Sequence, residues 1–337
     1  MKQIIIAPIQ KNVIHGLIKT HGQAVLNPLP KRDDFEPLKN DEIDAIMKRH
    51  RLGALMPFKN GFLQGEHCFV SMHAREEQQG YLYGKMDHLG QMTGAHNAYI
   101  YPGAKMALVG QFKGNKMISA QEAYLQEARC ENNQLSIQFS VMKSSPSFHF
   151  SQATNESLGD QPLLRDPYED KTVKLAPSTV SGSGNGLFAL RQIEANETVA
   201  FYNGLMTVGK TEYYQSMAFC ENRVEGQSAL EREQKCFKNR LGSTFGQTLD
   251  IPPWLDDLSV YNATLGHKVN HKFKKDANAK FSNMEHPRFG PIPTVVAKTL
   301  IPAGEEIFVD YGYSVDNSEV LRLAPWFKEL HEKYKQQ

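Results

Sequence analysis

Glycine spacing in the first half of the chain sets the strongest limit on what it can fold into. Short apolar stretches alternate there with Gly-containing turns, and apart from roughly residues 41–51 almost nothing carries the period of a helix. A repeat runs through it: Asn60-Gly61-Phe62-Leu63-Gln64-Gly65, then Gly90-Gln91-Met92-Thr93-Gly94 leading to Ala98-Tyr99-Ile100, then Gly114-Asn115-Lys116-Met117 leading to Ala123-Tyr124-Leu125. The last two units lie about 25 residues apart, which suits one hairpin per repeat. Such a hairpin cannot bury its apolar face alone, so neighbours must stack into a continuous antiparallel sheet. An ordinary β-meander with glycine turns fits the same pattern.

A chain of 337 residues is long enough for two domains, or three if one is small. Composition shifts at Ser144-Ser145-Pro146 and again from Asn155 to Pro167, where polar, Pro and Gly residues dominate, so the domain connection is expected there. Beyond it the pattern predicts short strands at 186–190, 198–203, 293–299 and Glu306–Val309, with helices at 255–265 and 325–334. Pro325 suits the first turn of the last helix.

With 40% hydrophobic and 22% charged residues, neither a disordered nor a membrane composition fits. The formal charge of +1, from 38 basic and 37 acidic residues, supplies no global field toward duplex DNA or an anionic membrane. Any basic partner must therefore be recognised locally, and neither direct DNA binding nor membrane binding is expected. The opening Met1-Lys2-Gln3-Ile4-Ile5-Ile6 is too short for a signal peptide's apolar region, so an intracellular protein is expected. Cys68, Cys130, Cys220 and Cys236 form no Cys-x-x-Cys pair and read as reduced thiols, with no metal site.

Three stretches carry chemistry. Ser181-Gly182-Ser183-Gly184-Asn185-Gly186-Leu187-Phe188 is a glycine cluster entering a strand, where backbone amides can approach a ligand closely. A dinucleotide fingerprint needs glycines entering a helix, so that reading fails, and a flexible turn is the plain alternative. The second is Gly266-His267-Lys268-Val269-Asn270-His271-Lys272-Phe273 and the third Val309-Asp310-Tyr311-Gly312-Tyr313. Taken singly, a satisfied turn and a strand end would explain them.

Together with Phe201-Tyr202-Asn203-Gly204, and in this order, they resemble the SET-domain lysine methyltransferases. Leu249-Asp250-Ile251-Pro252, Leu265-Gly266-His267-Lys268 and His286-Pro287-Arg288-Phe289-Gly290-Pro291-Ile292 resemble the subtype with MORN repeats ahead of the catalytic domain, from about Gly61 onward. The resemblance implies a mainly β fold: a divergent segment or further repeats at 1–60, a MORN-like repeat module at 61–143, a linker at 144–171, a SET catalytic domain at 172–314, and a C-terminal helical segment at 315–337 that closes the cofactor site.

It also implies methyl transfer from S-adenosylmethionine to a lysine ε-amine, in a histone H3 tail or in non-histone proteins. A monomeric protein of nucleus and cytoplasm is expected. Tyr202, Tyr311 and Tyr313 would wall the lysine channel, with Tyr311 closest to the transferring methyl. Its role is positioning or proton acceptance; positioning is preferred, since a tyrosine base needs a strongly lowered pKa. Asn270 and His271 resemble the cofactor motif, and Ser183, Gly184 and Asn185 would meet the cofactor through their backbone. Trp326 resembles the ring packed over adenine, or alternatively plain helix-face core, and Glu329 a polar contact to the cofactor. Asn239, Arg240 and Leu241 match the segment that pairs the substrate peptide as an added strand.

Two departures stand out. Phe281 aligns where the subtype carries a channel tyrosine; the missing hydroxyl would leave room for an already methylated amine, which predicts di- or trimethylation. Pro293 replaces a lysine of the subtype and the stretch 208–234 is longer and more charged, so peptide specificity is expected to differ. The alternative reading is a binding protein: a SET-like scaffold with little turnover that recruits partners through its β surface.

Overall fold

The computed structural model describes residues 54–55, 58–59, 62–63, 65–74, 77–87, 91–103, 105–131, 134–152, 158–208, 228–237, 240–242, 247–251 and 255–336. The helix expected at 41–51, most of segment 1–60, and Asn239 lie outside them. The chain divides into two compact units, one holding the described residues up to Phe150 with Asn196–Thr198 and His286–Gly290, the other holding the remainder.

In the first unit lie β1 (Ala54–Leu55), β2 (Phe58–Lys59), β3 (Phe62–Leu63), β4 (Gly65–Ala74), β5 (Glu77–Met86), β6 (Gly94–Ile100), β7 (Met106–Lys113), β8 (Lys116–Glu131) and β9 (Gln134–Val141). The sheet runs β1-β4-β5-β6-β7-β8-β9 with antiparallel neighbours, and β2 pairs β3 separately. This is the stack of hairpins expected from the glycine spacing. The turn between β7 and β8 shows how that spacing works. Gly114 and Asn115 take φ of 59° and 65°, the doubly left-handed geometry whose twist matches the flanking strands. Asn115 also accepts the Met92 N–H through Oδ1 at 2.6 Å, tying the turn to the preceding hairpin.

Alternate side chains of this sheet build a core from Phe69, Tyr81, Tyr83, Ala98, Ile100, Ala107, Ala128 and Ile137. Tyr99 points the other way and is also fully buried, its ring centroid 4.8 Å from Tyr101 and 4.7 Å from His286. Both faces near β6 are therefore covered, and the hydroxyl of Tyr99 donates to Gln79 O at 2.7 Å.

The second unit begins with α1 (Pro167–Thr172), capped by Asp166 and started by Pro167 at its first turn. There follow β10 (Val173–Pro177), β11 (Asn185–Ala189), β12 (Thr198–Phe201), β13 (Leu205–Val208), α2 (Ala229–Phe237), β14 (Arg240–Gly242) and β15 (Gln247–Asp250). A 3-10 turn at Gly266–Lys268 leads into β16 (Asn270–His271), β17 (Ala279–His286), β18 (Gly290–Ala297) and β19 (Glu306–Val309). The chain ends in α3 (Ser318–Leu323) and α4 (Pro325–Lys335). Three small sheets result, ordered β10-β11-β19-β16, β12-β18-β17 and β13-β15-β14. Their aliphatic core includes Leu187, Val199, Leu265, Val295, Ile307 and Val309. Each such side chain contributes about 1.5–3 kcal/mol when fully buried.

The strands predicted at 186–190, 198–203 and 293–299 are present with shifted ends, while Glu306–Val309 agrees with the prediction. The helix predicted at 255–265 is corrected: the segment is a series of turns and bends. Val260 and Tyr261 donate to Asp257 O in a single turn, but amide hydrogens on either side of that pair go elsewhere. Asp257 accepts from the Ser259 N–H and hydroxyl at 2.9 and 2.8 Å, Asn262 and Ala263 donate to Pro162 O, and Leu265 donates to the Glu169 carboxylate. A local side-chain turn and two distant acceptors have outcompeted the helical ladder. The short helices α1, α2 and α3 and strand β17 were not anticipated; six to nine residues offer too few periods to read.

Candidate functional site

Strands β10 and β11 are joined by the glycine cluster, and its backbone closes on itself. Ser178 donates to Gly184 O at 2.8 Å and Ser183 to Val180 O at 3.2 Å. Gly182 and Gly184 have φ of 80° and 69°, and a Cβ on either would meet nothing within 4 Å. Conformation rather than crowding thus requires glycine here, and the space beyond stays open for a ligand.

That space belongs to a cavity of about 880 Å³. Its walls include Ser183, Gly184, Asn185, Asn270, His271, Trp326 and Glu329, every residue expected at a cofactor, together with Tyr311 and Tyr313. Topology explains the gathering. β16 pairs in parallel with β19, Asn270 opposite Phe308 and His271 opposite Val309, so the Asn-His pair lies beside the strand that runs into Asp310-Tyr311-Gly312-Tyr313. Helix α4 brings Trp326 within 6.3 Å of the Tyr313 ring and 6.4 Å of the Tyr311 ring.

His271 is the hub of this cluster. It is 4% exposed and packs against Phe273, Tyr311 and Phe327 with centroids 5.0, 5.1 and 5.6 Å away. Burial pushes its pKa down, with Asp310, 3.9 Å away, opposing. Nδ1 accepts the Tyr311 N–H at 3.1 Å.

Tyr311 donates its phenol to Val269 O at 2.7 Å, and burial followed by the neighbouring Tyr313 raises its pKa. Tyr202, 4% exposed, has a pKa pushed well above the usual phenol value by burial and then by Tyr311. Both phenols are therefore neutral at any ordinary pH, since each lies where an anion would be poorly solvated. Tyr202 and Phe281 meet edge-on at 5.8 Å, and Phe281 and Tyr311 both pack against the aliphatic core. The Tyr202 and Phe281 pair does not line the cavity itself.

Trp326 and its neighbour Phe327 differ in exposure. Trp326 is 43% exposed and lines the cavity, whereas Phe327 is 2% exposed and fills the core with Phe237, Val320 and Leu323. Arg240 and Leu241 lie on β14, opposite Asp250 and Leu249, at the end of the three-stranded sheet as described, and are not among the residues that line the cavity. Asn239 is outside the described residues.

Sequence reasoning missed Glu231, Gln234 and Phe237, which line the cavity from α2, and Asp256 with Lys268, which form an ion pair on its wall. The amphipathic pattern of 229–237 was the available signal for the first group; nothing local distinguished the second. Among the described residues no group of His, Cys, Asp or Glu could hold a metal ion, and no helix is long and apolar enough to cross a membrane.

Residues 58–136 match the family model described as histone H3 K4-specific methyltransferase SET7 N-terminal, and residues 184–312 match the SET domain. A curated relative, histone-lysine N-methyltransferase SETD7 of Halocynthia roretzi, is 28% identical over 275 residues, covering 80% of this chain and 66% of the relative. The chain thus spans just under two thirds of that relative's length. Two solved structures of Polycomb Repressive Complex 2 are also similar, at 24% identity. One, in an autoinhibited conformation bound to S-adenosylmethionine, has a TM-score of 0.31 and covers 49% of this chain and 17% of that one. The other, a humanised mutant of the Chaetomium thermophilum complex bound to an inhibitor, has a TM-score of 0.30 and covers 42% and 15%. The two matched regions, the antiparallel repeat sheet and the convergence of the glycine, Asn-His and Tyr-Gly-Tyr stretches on one cavity lead to the same conclusion: residues 184–312 are a SET domain, and a module of the SET7 N-terminal type at residues 58–136 precedes it.

Proposed function

We propose that this protein is an S-adenosylmethionine-dependent protein lysine N-methyltransferase. The observation that carries the reading is the convergence of Gly182–Asn185, Asn270-His271, Tyr311, Tyr313 and Trp326 on one cavity from distant parts of the chain. The donor set fits a sulfonium nucleoside. Open left-handed glycine backbone accommodates a ligand pressed against the chain, a half-exposed indole offers a face to a flat base, and aromatic rings favour a cation by about 0.5–2 kcal/mol. When bound, S-adenosylmethionine supplies a methyl group on a positively charged sulfur.

The chain's own residues then have two tasks. A lysine with an unperturbed pKa near 10.4 must reach the site as the neutral amine, and loss of its hydration shell on burial, which outweighs contact with the ring faces, disfavours its charged form. Tyr311 is read as the residue that aligns the amine. Its proton is committed to Val269 O and its pKa is raised, which supports positioning over proton acceptance. Tyr202, Tyr313 and Phe281 are read as channel walls. Among the described residues, the strand holding Arg240 and Leu241 ends its sheet, which suits a substrate backbone added as a further strand, with Asn239 next to it in sequence.

The substrate class is proposed to be a histone H3 tail, with non-histone proteins also accepted, and the site of action the nucleus. Residues 61–143 are assigned to the repeat module, 172–314 to catalysis and 315–337 to closure of the cofactor side. Transfer of labelled methyl to mixed histones and to a peptide array tests the activity. Cofactor binding without transfer would favour a scaffold instead.

Product multiplicity is read from Phe281, which meets Tyr202 edge-on and has no hydroxyl to hold the amine. Mass spectrometry of a peptide methylated under excess cofactor is expected to show two or three methyl groups for the wild type and accumulation of one for Phe281→Tyr. A wild type that stops at one methyl sinks this part of the reading.

A further inference from the structure

The cofactor side of the cavity is assembled from pieces 85 residues apart, Asn185 and Asn270, and a buried carboxylate that does not line the cavity joins them. Glu306 opens β19 and is 5% exposed. Its Oε1 accepts the Ser178 hydroxyl at 2.7 Å and Asn270 Nδ2 at 3.2 Å. Its Oε2 accepts the Thr179 backbone N–H at 2.7 Å and the Thr179 hydroxyl at 2.5 Å.

These bonds reach the open glycines. Ser178 Oγ accepts the Val180 N–H at 3.0 Å, while the Ser178 N–H donates to Gly184 O at 2.8 Å. Asn270 Nδ2 donates to Asn185 O at 3.2 Å as well as to Glu306. With its Nδ2 committed to both, Asn270 keeps its Oδ1 as the atom left for a ligand. The backbone of Glu306 is itself held, since Asn278 Nδ2 donates to Glu306 O at 2.9 Å.

Gly186 makes this arrangement possible. A Cβ there would come within 2.1 Å of Glu306 Oε1 and 3.0 Å of Asn270 Nδ2. The carboxylate passes through the space that a side chain would take. Burial alone would raise the Glu306 pKa, but the donors on Thr179, Ser178 and Asn270 hold it below the usual value, so the acceptor is ionised.

We infer that Glu306 is the positioning residue of the cofactor side: its carboxylate fixes the glycine loop and the Asn270 amide in one geometry, and cofactor affinity depends on it. This rests on the reading of the cavity as an S-adenosylmethionine site. Glutamine at 306 has nearly the same shape but turns an NH₂ toward either Asn270 Nδ2 or the Thr179 N–H, neither of which can accept, so one side of the clamp must release.

The test uses the full chain as wild type, Glu306→Gln and Thr179→Val, with calorimetric titration of S-adenosylmethionine, steady-state transfer to a peptide, and thermal denaturation. Glu306→Gln is expected to raise the Kd and KM for the cofactor about tenfold, leaving peptide KM and kcat at saturating cofactor within about threefold. Thr179→Val, which removes one donor and keeps the carboxylate, shifts the cofactor constants the same way by about threefold and reads the clamp even if Glu306→Gln does not fold. Cofactor constants unchanged in folded variants, with only a lower Tm, reduce Glu306 to a structural residue and overturn the inference. A wild type that takes up no S-adenosylmethionine overturns both this inference and the reading beneath it.

Discussion

Tyr99 in the first unit and Tyr311 in the second make the same bond, a phenol donated to a backbone carbonyl at 2.7 Å. Their surroundings differ. Tyr99 is fully buried between Tyr101 and His286, whereas Tyr311 forms part of a cavity wall with His271, Tyr313 and Trp326. A locked neutral phenol is thus a packing device in one place and an available surface in the other. What separates them is the open volume alongside, which no inspection of either tyrosine's own bond reveals.

The sharpest way to break this comparison is to remove both hydroxyls separately. Tyr311→Phe is expected to lower kcat for methyl transfer by about 100-fold or more, with cofactor Kd little changed, if its phenol aligns the amine. Tyr99→Phe removes the buried hydrogen bond from the Tyr99 hydroxyl to Gln79 O, costing about 1–3 kcal/mol, and transfer per folded molecule stays the same. Equal activity in the two variants removes the distinction.

A second pair sharpens it within one helix. Phe327→Ala empties a core position 2% exposed and is expected to cost about 3–5 kcal/mol of stability in denaturant titration. Trp326→Ala, at 43% exposed, should cost about 1 kcal/mol or less in stability while weakening S-adenosylmethionine binding. A large stability loss from Trp326→Ala would return it to the helix-face core.

The smallest effects are in pH dependence, where the two units contribute with opposite sign. In the first, burial and then Arg288 depress the His286 pKa well below its ordinary 6.5. The folded state then binds this proton less readily than the unfolded chain, so stability is full above about 6.5 and declines as pH falls below it. In the second, burial and then Asp166 push the Glu169 pKa up from 4.5 to about 8, although its carboxylate accepts N–H groups of Phe201 and Leu265. Its contribution is full below 4.5 and is lost as pH rises through about 8. Thermal denaturation from pH 5 to 9 should show His286→Phe flattening the acidic side and Glu169→Gln the alkaline side; matching profiles for all three proteins would remove both assignments.

Much of the site was legible because its motifs are short and local. A glycine cluster, an Asn-His pair and a Tyr-Gly-Tyr stretch each keep their chemistry within a few residues, and their order pointed to one family. Glu306 carried no such signal, because its meaning comes from Ser178, Thr179 and Asn270, which only folding brings to it. The helix expected at 255–265 failed for the same reason: Pro162 and Glu169, remote in sequence, took its amide hydrogens.

By itself the sequence determined the hairpin stack, since left-handed turn residues such as Gly114 and Asn115 and alternating apolar residues act between near neighbours. It also picked out residues that come to line one cavity. Tertiary structure alone decided which tyrosine faces open space, that Trp326 rather than Phe327 does so, and that one buried carboxylate joins the two halves of the cavity wall. The physical reason is range: turn geometry and side-chain alternation are set within a few residues, whereas solvent exposure and shared hydrogen bonds depend on chain that arrives from far away.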